Sequence, residues 1–368
     1  MRVSLITRHA ITNYGSLLQT LATQIVIERL GHTCEVVNYI RADENYRQHE
    51  RTLLKRKPEW NRNPIKRGIY LALRQPESRL SGRRFAKERN RLLHLSQLYS
   101  SMEELTQKPP AADLYLTGSD QVWGPVENGD YDSAYCLSFV PDAARKASFA
   151  ASFGRDTLTE EQMQFFRRWL GQFQRITVRE DSAVSLIEEM GFEAERVLDP
   201  TLLLDAEDWA RFMTPLRRKP YVLVYQIHQN PALGLYAKKV ADAMHLPLVR
   251  VSPSLHQMTQ KGKLVWCPPI GAFLSYIKNA ACLITDSFHG TAFAINFETP
   301  FVEVLPQNHT ETRNKDVLAW TGLTDRIVTD VNNTSIAVKR PNFECARRTL
   351  SEQRIRTIEI FKSILEQE

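Results

Sequence analysis

The chain has 368 residues, of which 43% are hydrophobic and 24% charged, with a net charge of +6, which suits a globular protein with two cores and excludes a disordered or fibrous chain. No stretch is apolar and long enough to cross a bilayer, and the opening residues carry no secretory h-region, so a cytoplasmic protein is expected. The five cysteines, Cys34, Cys136, Cys267, Cys282 and Cys345, are scattered and form no C-x-x-C pair, which speaks against a disulfide framework or a zinc site.

In chain order, RVSLIT reads as a strand, RHAITNYG as a loop, SLLQTLATQIVIERLG as a helix and CEVVNY as a second strand. This is a βαβ unit, whose two strands run parallel. Leu17, Leu21 and Ile25 recur at four-residue steps with Leu18 alongside, and Gly31 stands where a left-handed cap is wanted. The segment from Arg51 to Arg91 then holds fourteen Lys or Arg against three Glu, about +11, leaving about −5 for the rest of the chain. A solvated helical face accounts for it. So does attraction of Lys55, Arg56, Lys57, Lys66, Arg67, Arg83 and Arg84 to an anionic membrane surface or a phosphorylated acceptor, which would make the protein membrane-peripheral. No DNA or RNA module accompanies the charge, so no nucleic acid partner is expected.

Strand and helix go on alternating through DLYLT, the loop GSDQVWGP, KASFAASFG, a helix over TEEQMQFFRRWLGQF, the strand RITVRE and the helix EDSAVSLIEEMG, closed by Gly191. RVLDPT ends the first half in a strand and a proline turn. The second half repeats the pattern: YVLVYQI, a helix from Pro231 to Met244, LPLVRVS, GAFLSYIKNA, ACLITD, HGTAFAINF and PFVEV. The expected fold is α/β, two Rossmann-like doubly wound domains over 1–205 and 215–345, with a helix over 346–368 packing back across them.

Ligands of such sheets bind at the carboxyl ends of strands. Three polar clusters fall there. In ACLITDSFHGT, Asp286 and Ser287 can cap the next helix, and His289 falls in its first turn. Open amide N–H groups near Gly290 and Thr291 would favour an anion, and the histidine can exchange a proton near neutral pH. The plainer alternative is that Ser287 only caps and His289 only packs. In TGSDQVWG, Gly118 permits close backbone approach or a positive φ, and Ser119, Asp120 and Gln121 can meet sugar hydroxyls, unless the segment is only a helix start and Trp123 only core. RHAITNYGS brings Arg8, His9, Asn13 and Gly15 to the same strand end, where a simple turn is the alternative.

Taken together, NYGSLLQTLATQ with LGHTCEVVNY, DLYLTGSDQVW, TVRE followed by VLDPTLLL, and ITDSFHGTAFAINFETPF resemble the polysaccharide pyruvyl transferase family over roughly residues 1 to 40 and 85 to 325. GSDQVW combined with SFHGTAF is the specific part. The resemblance implies a GT-B-like architecture with an interdomain active site, phosphoenolpyruvate as donor substrate, no further cofactor or metal, and a sugar or lipid-linked oligosaccharide acceptor that receives a pyruvate ketal. It implies His289 as acid/base or donor-phosphate contact and Arg179, with Ser287, Gly290, Thr291 and Arg8, on the donor side. Asp120 would serve as base, with Asn13, Ser119 and Gln121 as acceptor ligands. A surface pairing of Arg179 with Glu180 or Asp181 is the alternative for that arginine. Several members carry arginine two residues before the histidine where this chain has Ser287, and Arg8, Arg313 or the amides after Ser287 are the candidates to replace it. A nucleotide-sugar glycosyltransferase of the same architecture and a non-catalytic glycan-pathway binding protein are the competing functions.

Overall fold

The computed structural model describes residues 1–126, 129–305 and 311–366. The chain divides into two compact units, one from Met1 to Pro200 joined by the residues from Thr357 on, the other from Thr201 to Arg356. The last helix is continuous over Glu344–Glu366, so the division falls within it. The final two residues of the expected 346–368 helix lie outside the described residues.

The first unit is built on a five-stranded parallel sheet in the order β3-β2-β1-β4-β5. Its strands are β1 (Arg2–Ile6), β2 (Thr33–Tyr39), β3 (Leu95–Tyr99), β4 (Leu114–Thr117) and β5 (Lys146–Ser148). The short pair β6 (Thr177–Val178) and β7 (Glu195–Arg196) continues from it through the bridges Ala147–Arg175 and Ala151–Val178. The helix α1 (Tyr14–Arg29) is buried over most of its circumference, more than the leucine stripe alone predicts. Its polar residues are accommodated because they bond inward: Gln19 Nε2 donates to the Thr7 hydroxyl at 2.9 Å, and Thr20 and Thr23 donate to the carbonyls of Ser16 and Gln19. Gly31 ends this helix at φ 86° and Gly191 ends the helix Asp181–Glu189 at φ 87°, conformations that cost an L-residue and not glycine. The terminal helix residue Phe361 stacks on Phe149 at 3.8 Å within this unit.

The second unit repeats the plan in the order β10-β9-β8-β11-β12, with all neighbours parallel. Its strands are β8 (Val222–Tyr225), β9 (Leu248–Ser252), β10 (Lys263–Trp266), β11 (Cys282–Thr285) and β12 (Phe301–Glu303). Central β8 and β11 are continuously buried, as parallel strands covered on both faces must be. The strands β3 and β10 are not announced by the sequence pattern: both are part-exposed edge strands, β3 has no apolar run, and the apolar run of β10 is only three residues long. Pro200, expected in a turn, instead opens a short helix over Pro200–Leu203, a position where its missing N–H is harmless.

In each sheet the chain winds one way from the first strand and then reverses, between β1 and β4 in the first unit and between β8 and β11 in the second. Such a reversal leaves a crevice at the carboxyl ends of the two strands. The polar clusters singled out above follow β1, β4 and β11, three of these four strands.

Candidate functional site

In the second unit, β11 runs into Asp286 and Ser287 and then the helix α4 (Phe288–Asn296). Ser287 is its N-cap, with Oγ accepting from Gly290 N–H at 3.3 Å, and the Ser287 carbonyl accepts from Thr291 N–H at 2.9 Å. The amides expected to be open at Gly290 and Thr291 are therefore spent on the cap, a correction to their role as anion donors. The Thr291 hydroxyl is spent too, donating to Glu303. Gly290 has a packing role: a Cβ there would lie 2.5 Å from Thr285 Oγ1, which is itself fixed by Tyr225 O at 2.7 Å.

Asp286 does not cap the helix. It turns back to the loop after β8, accepting from Ile227 N–H at 2.8 Å and His228 N–H at 3.1 Å, and the His228 ring comes within 3.6 Å. Asp286 thus ties together the two strand ends that border the crevice. His289 stands in the first turn of α4 and is 6% exposed, its ring edge-on to Phe288 at 5.2 Å. From the helix α5 (Thr312–Trp320) the Arg313 guanidinium lies over the same Phe288 ring, 5.9 Å from its centre. Among the candidates for the missing arginine, Arg313 lies within the second unit beside the histidine's helix.

Sequence reasoning passed over Glu303. This carboxyl, fully buried at the end of β12, accepts from the Thr291 hydroxyl and from Asn314 Nδ2. Burial pushes it up to about 8, against the pull of those two donors, with Asp286 adding to the rise. Burial thus favours its protonated form, and the Thr291 hydroxyl fastens it to the helix that carries His289. A folded-state value above the ordinary carboxyl range means the folded protein holds a proton that the unfolded chain has released, so stability falls as pH rises from about 4.5 to about 8 and levels off above. Glu303→Gln keeps the size and one acceptor oxygen of the side chain and has no proton to lose. The unfolding free energy of wild type from urea titration should therefore fall relative to that of the variant across this window, by at least about 1 kcal/mol. Parallel pH profiles would refute the assignment.

In the first unit, the β4 end carries Gly118, Ser119, Asp120 and Gln121. Gly118 is a close approach: a Cβ would sit 2.8 Å from Leu5 Cδ1. It is Asp120 that takes the positive φ, 75°, a strained conformation of the kind found at functional sites. The Asp120 carboxylate accepts from the Ser16 hydroxyl and from Gln121 N–H at 2.9 Å, which leaves it 7% exposed. Ser119 Oγ donates to Asp199 at 3.0 Å. Gln121 packs its amide against Gly154, where a Cβ would lie 2.5 Å from Nε2. Trp123 is core, 1% exposed.

Arg179 is buried, its side chain 1% exposed, and faces Asp199 at 2.8 Å, Glu180 at 3.4 Å and Asp120 at 3.6 Å. Burial alone would lower its affinity for the proton, but Asp199, Glu180 and Asp120 together raise it above the usual arginine value. A surface pairing is thus excluded, and Asp181 pairs with Arg196 instead, at 2.9 Å. One guanidinium among three carboxylates has no charge to spare for a phosphate. The donor-clamp role implied for Arg179 therefore does not match its setting, and it holds the strained Asp120 loop in place. Asp199, immediately before the Pro200–Leu203 helix, is the member of this cluster that sequence reasoning left unassigned.

At the β1 end, Arg8 pairs with Glu44 at 3.1 Å, and Arg41 reaches the same carboxylate at 3.1 Å. Asn13 is the N-cap of α1, its Oδ1 accepting from Gly15 N–H at 2.8 Å. Buried His9 bonds the Thr7 carbonyl at 3.0 Å and is held neutral, pushed down to about 4 by burial and the nearby Arg89 charge.

Two parallel doubly wound sheets in tandem, each with its polar cluster at the reversal of strand order, define the GT-B class. Solved structures with this fold agree along nearly the whole chain. A UDP-GlcNAc 2-epimerase from Methanocaldococcus jannaschii matches with a TM-score of 0.54 at 13% identity, covering 98% of this chain and 100% of its own. A UDP-GlcNAc 2-epimerase from Neisseria meningitidis bound to UDP-GlcNAc matches at 0.53 and 12%, covering 99% of each chain. An Arabidopsis thaliana protein complexed with UDP-L-rhamnose gives 0.50 at 11%, covering 99% of this chain and 97% of its own. No curated protein matches the sequence. The sequence model of polysaccharide pyruvyl transferase matches residues 13–309, and the chain belongs to that family.

Proposed function

We propose that this protein transfers the pyruvyl group of phosphoenolpyruvate to two hydroxyls of one sugar in a glycan, forming a pyruvate ketal. Family membership supports the class of reaction, and the observation that carries the assignment of residues is the pairing of His289 in the first turn of α4 with Arg313 stacked on Phe288 beside it. The reaction needs an acid to protonate the methylene carbon of the enol, which leaves an oxocarbenium-like carbon at C2. One sugar hydroxyl attacks C2 and gives up its proton to a base. Phosphate then departs with the electrons of its C–O bond, and the second hydroxyl closes the ketal and loses its own proton. The products are the ketal and inorganic phosphate.

In this reading His289 supplies or relays the proton at C3, and Arg313 takes the phosphate-clamping part that other members give to an arginine two residues before the histidine. Ser287 shapes the helix start and Gly290 lets α4 come close to β11. Asp120, strained and nearly buried, is the candidate base, with Ser119, Gln121 and Asn13 around the acceptor sugar and Arg8 at the edge of that cluster. The test is calorimetric binding of phosphoenolpyruvate to wild type, His289→Ala and Arg313→Ala. Saturable binding that Arg313→Ala weakens by about tenfold or more is expected, one charge-assisted contact being worth that much. No binding of phosphoenolpyruvate, with a nucleotide sugar bound instead, would replace this reading with glycosyl transfer.

A further inference from the structure

The helix α2 (Pro64–Leu92) is the longest in the chain, yet its buried residues are only Ser81, Gly82 and Phe85, all near its C-terminal end. There it is anchored: Phe85 packs on Tyr14 at 4.8 Å between ring centres, and Gly82 lets Tyr46 lie directly against the helix backbone. The N-terminal half is braced by Glu50, which accepts from Tyr70 Oη at 3.0 Å and from the Ser78 hydroxyl. Its outer face is not covered. Ile65 is 74% exposed, Ile69 49%, Leu73 72% and Leu80 49%. At 3.6 residues per turn these four positions fall within an arc of about 80°, opposite the buried side, and span about 22 Å of helix. Single exposed aliphatic residues are ordinary, but four aligned on one helix face form a contact surface.

The flanks are basic. Lys66, Arg79, Arg83, Arg84 and Lys87 are exposed on or beside the stripe. The acids of this helix pair with other arginines, Glu77 with Arg74 at 3.9 Å and Glu88 with Arg91 at 2.9 Å.

We infer that the outer face of α2 docks on an anionic phospholipid surface, Ile65, Ile69, Leu73 and Leu80 entering the boundary between headgroups and acyl chains while the surrounding Lys and Arg side chains reach lipid phosphates. An apolar stripe with a cationic collar and low overall hydropathy is the composition of helices that lie in the plane of a bilayer. Charge decides among occupants. A second copy would bring an equally basic face against this one, and a nucleic acid would leave the aliphatic stripe in contact with phosphate. The inference concerns location and does not depend on the reaction proposed above.

The experiment is co-sedimentation of the full chain with vesicles of phosphatidylcholine alone and with about 30 mol% phosphatidylglycerol added, near physiological salt. A variant with Ile65→Ser, Ile69→Ser and Leu73→Ser changes only exposed positions, and circular dichroism checks that it stays folded. Wild type is expected to bind the anionic vesicles at least about tenfold better than the neutral ones, and the triple variant to lose most of that binding. Equal weak binding of wild type to both vesicles, or undiminished binding of the triple variant, would overturn the proposal. So would a wild-type dimer on sizing columns that the triple variant converts to monomer, since the face would then be an interface between copies.

Discussion

Replacing His289 with glutamine should lower turnover by about 10²- to 10⁴-fold, the range by which a positioned acid or base accelerates proton transfer, while leaving the urea midpoint close to that of wild type. Glutamine fits the first turn of α4, retains hydrogen-bonding capacity and has no proton to exchange near neutral pH. Ser287 and Gly290, which form the helix start, are untouched by the change. Turnover is read as phosphate released from phosphoenolpyruvate in the presence of a glycan acceptor, and donor affinity is read separately by calorimetry. If His289 acts only in the chemical step, kcat falls and donor binding persists; if it also touches the donor phosphate, both fall. Activity within about threefold of wild type would remove His289 from the mechanism. Arg313→Ala, by contrast, should act chiefly on donor affinity, so the two variants separate proton transfer from phosphate holding.

The fold was legible in the sequence because its central strands are continuous apolar runs and its helices carry caps where they should. VLVY and CLIT are buried on both faces and could be little else. The edge strands β3 and β10 were not legible, since a short strand with one free side and nearly all its residues partly exposed has no periodic mark. The candidate site was legible in its positions and much less so in its partners. Ser287 and His289 stand where strand-end reasoning puts them. What a single sequence does not show is competition for hydrogen bonds: the amides of Gly290 and Thr291 look open in a linear chain and are taken up by Ser287 once the helix forms. Glu303 was missed for a related reason. It ends a strand like any surface glutamate, and only the packing of α4 and Asn314 over it reveals a buried acid. Asp199 carried one readable signal, an aspartate between an apolar run and Pro-Thr, but its ion pair with Arg179 links residues twenty apart in sequence.

That ion pair sets the other large effect. Arg179→Ala should destabilise the first unit by about 3–5 kcal/mol, the usual consequence of removing one partner from a buried charge cluster. The reason is what stays behind: Asp120, Glu180 and Asp199 would face one another in a nearly dry site without their common cation. Arg179→Lys should recover only part of the loss, because a single ammonium cannot meet three carboxylates placed around a planar fork. Asp199→Asn introduced into Arg179→Ala should recover part as well, by removing the carboxylate that had the shortest contact, at 2.8 Å. Denaturant midpoints of these four proteins measure the cluster. Phosphoenolpyruvate affinity, measured on the fraction still folded, measures something else, and it should stay within about threefold of wild type, since a guanidinium surrounded by three carboxylates contributes little attraction to a further anion. An unchanged midpoint with donor affinity lowered more than about tenfold would reverse the assignment and put Arg179 back on the donor. The geometry favours the structural role: Asp120 holds its positive φ of 75° only while Ser16 and Arg179 fix its carboxylate, so the arginine acts on the site through the shape of that loop.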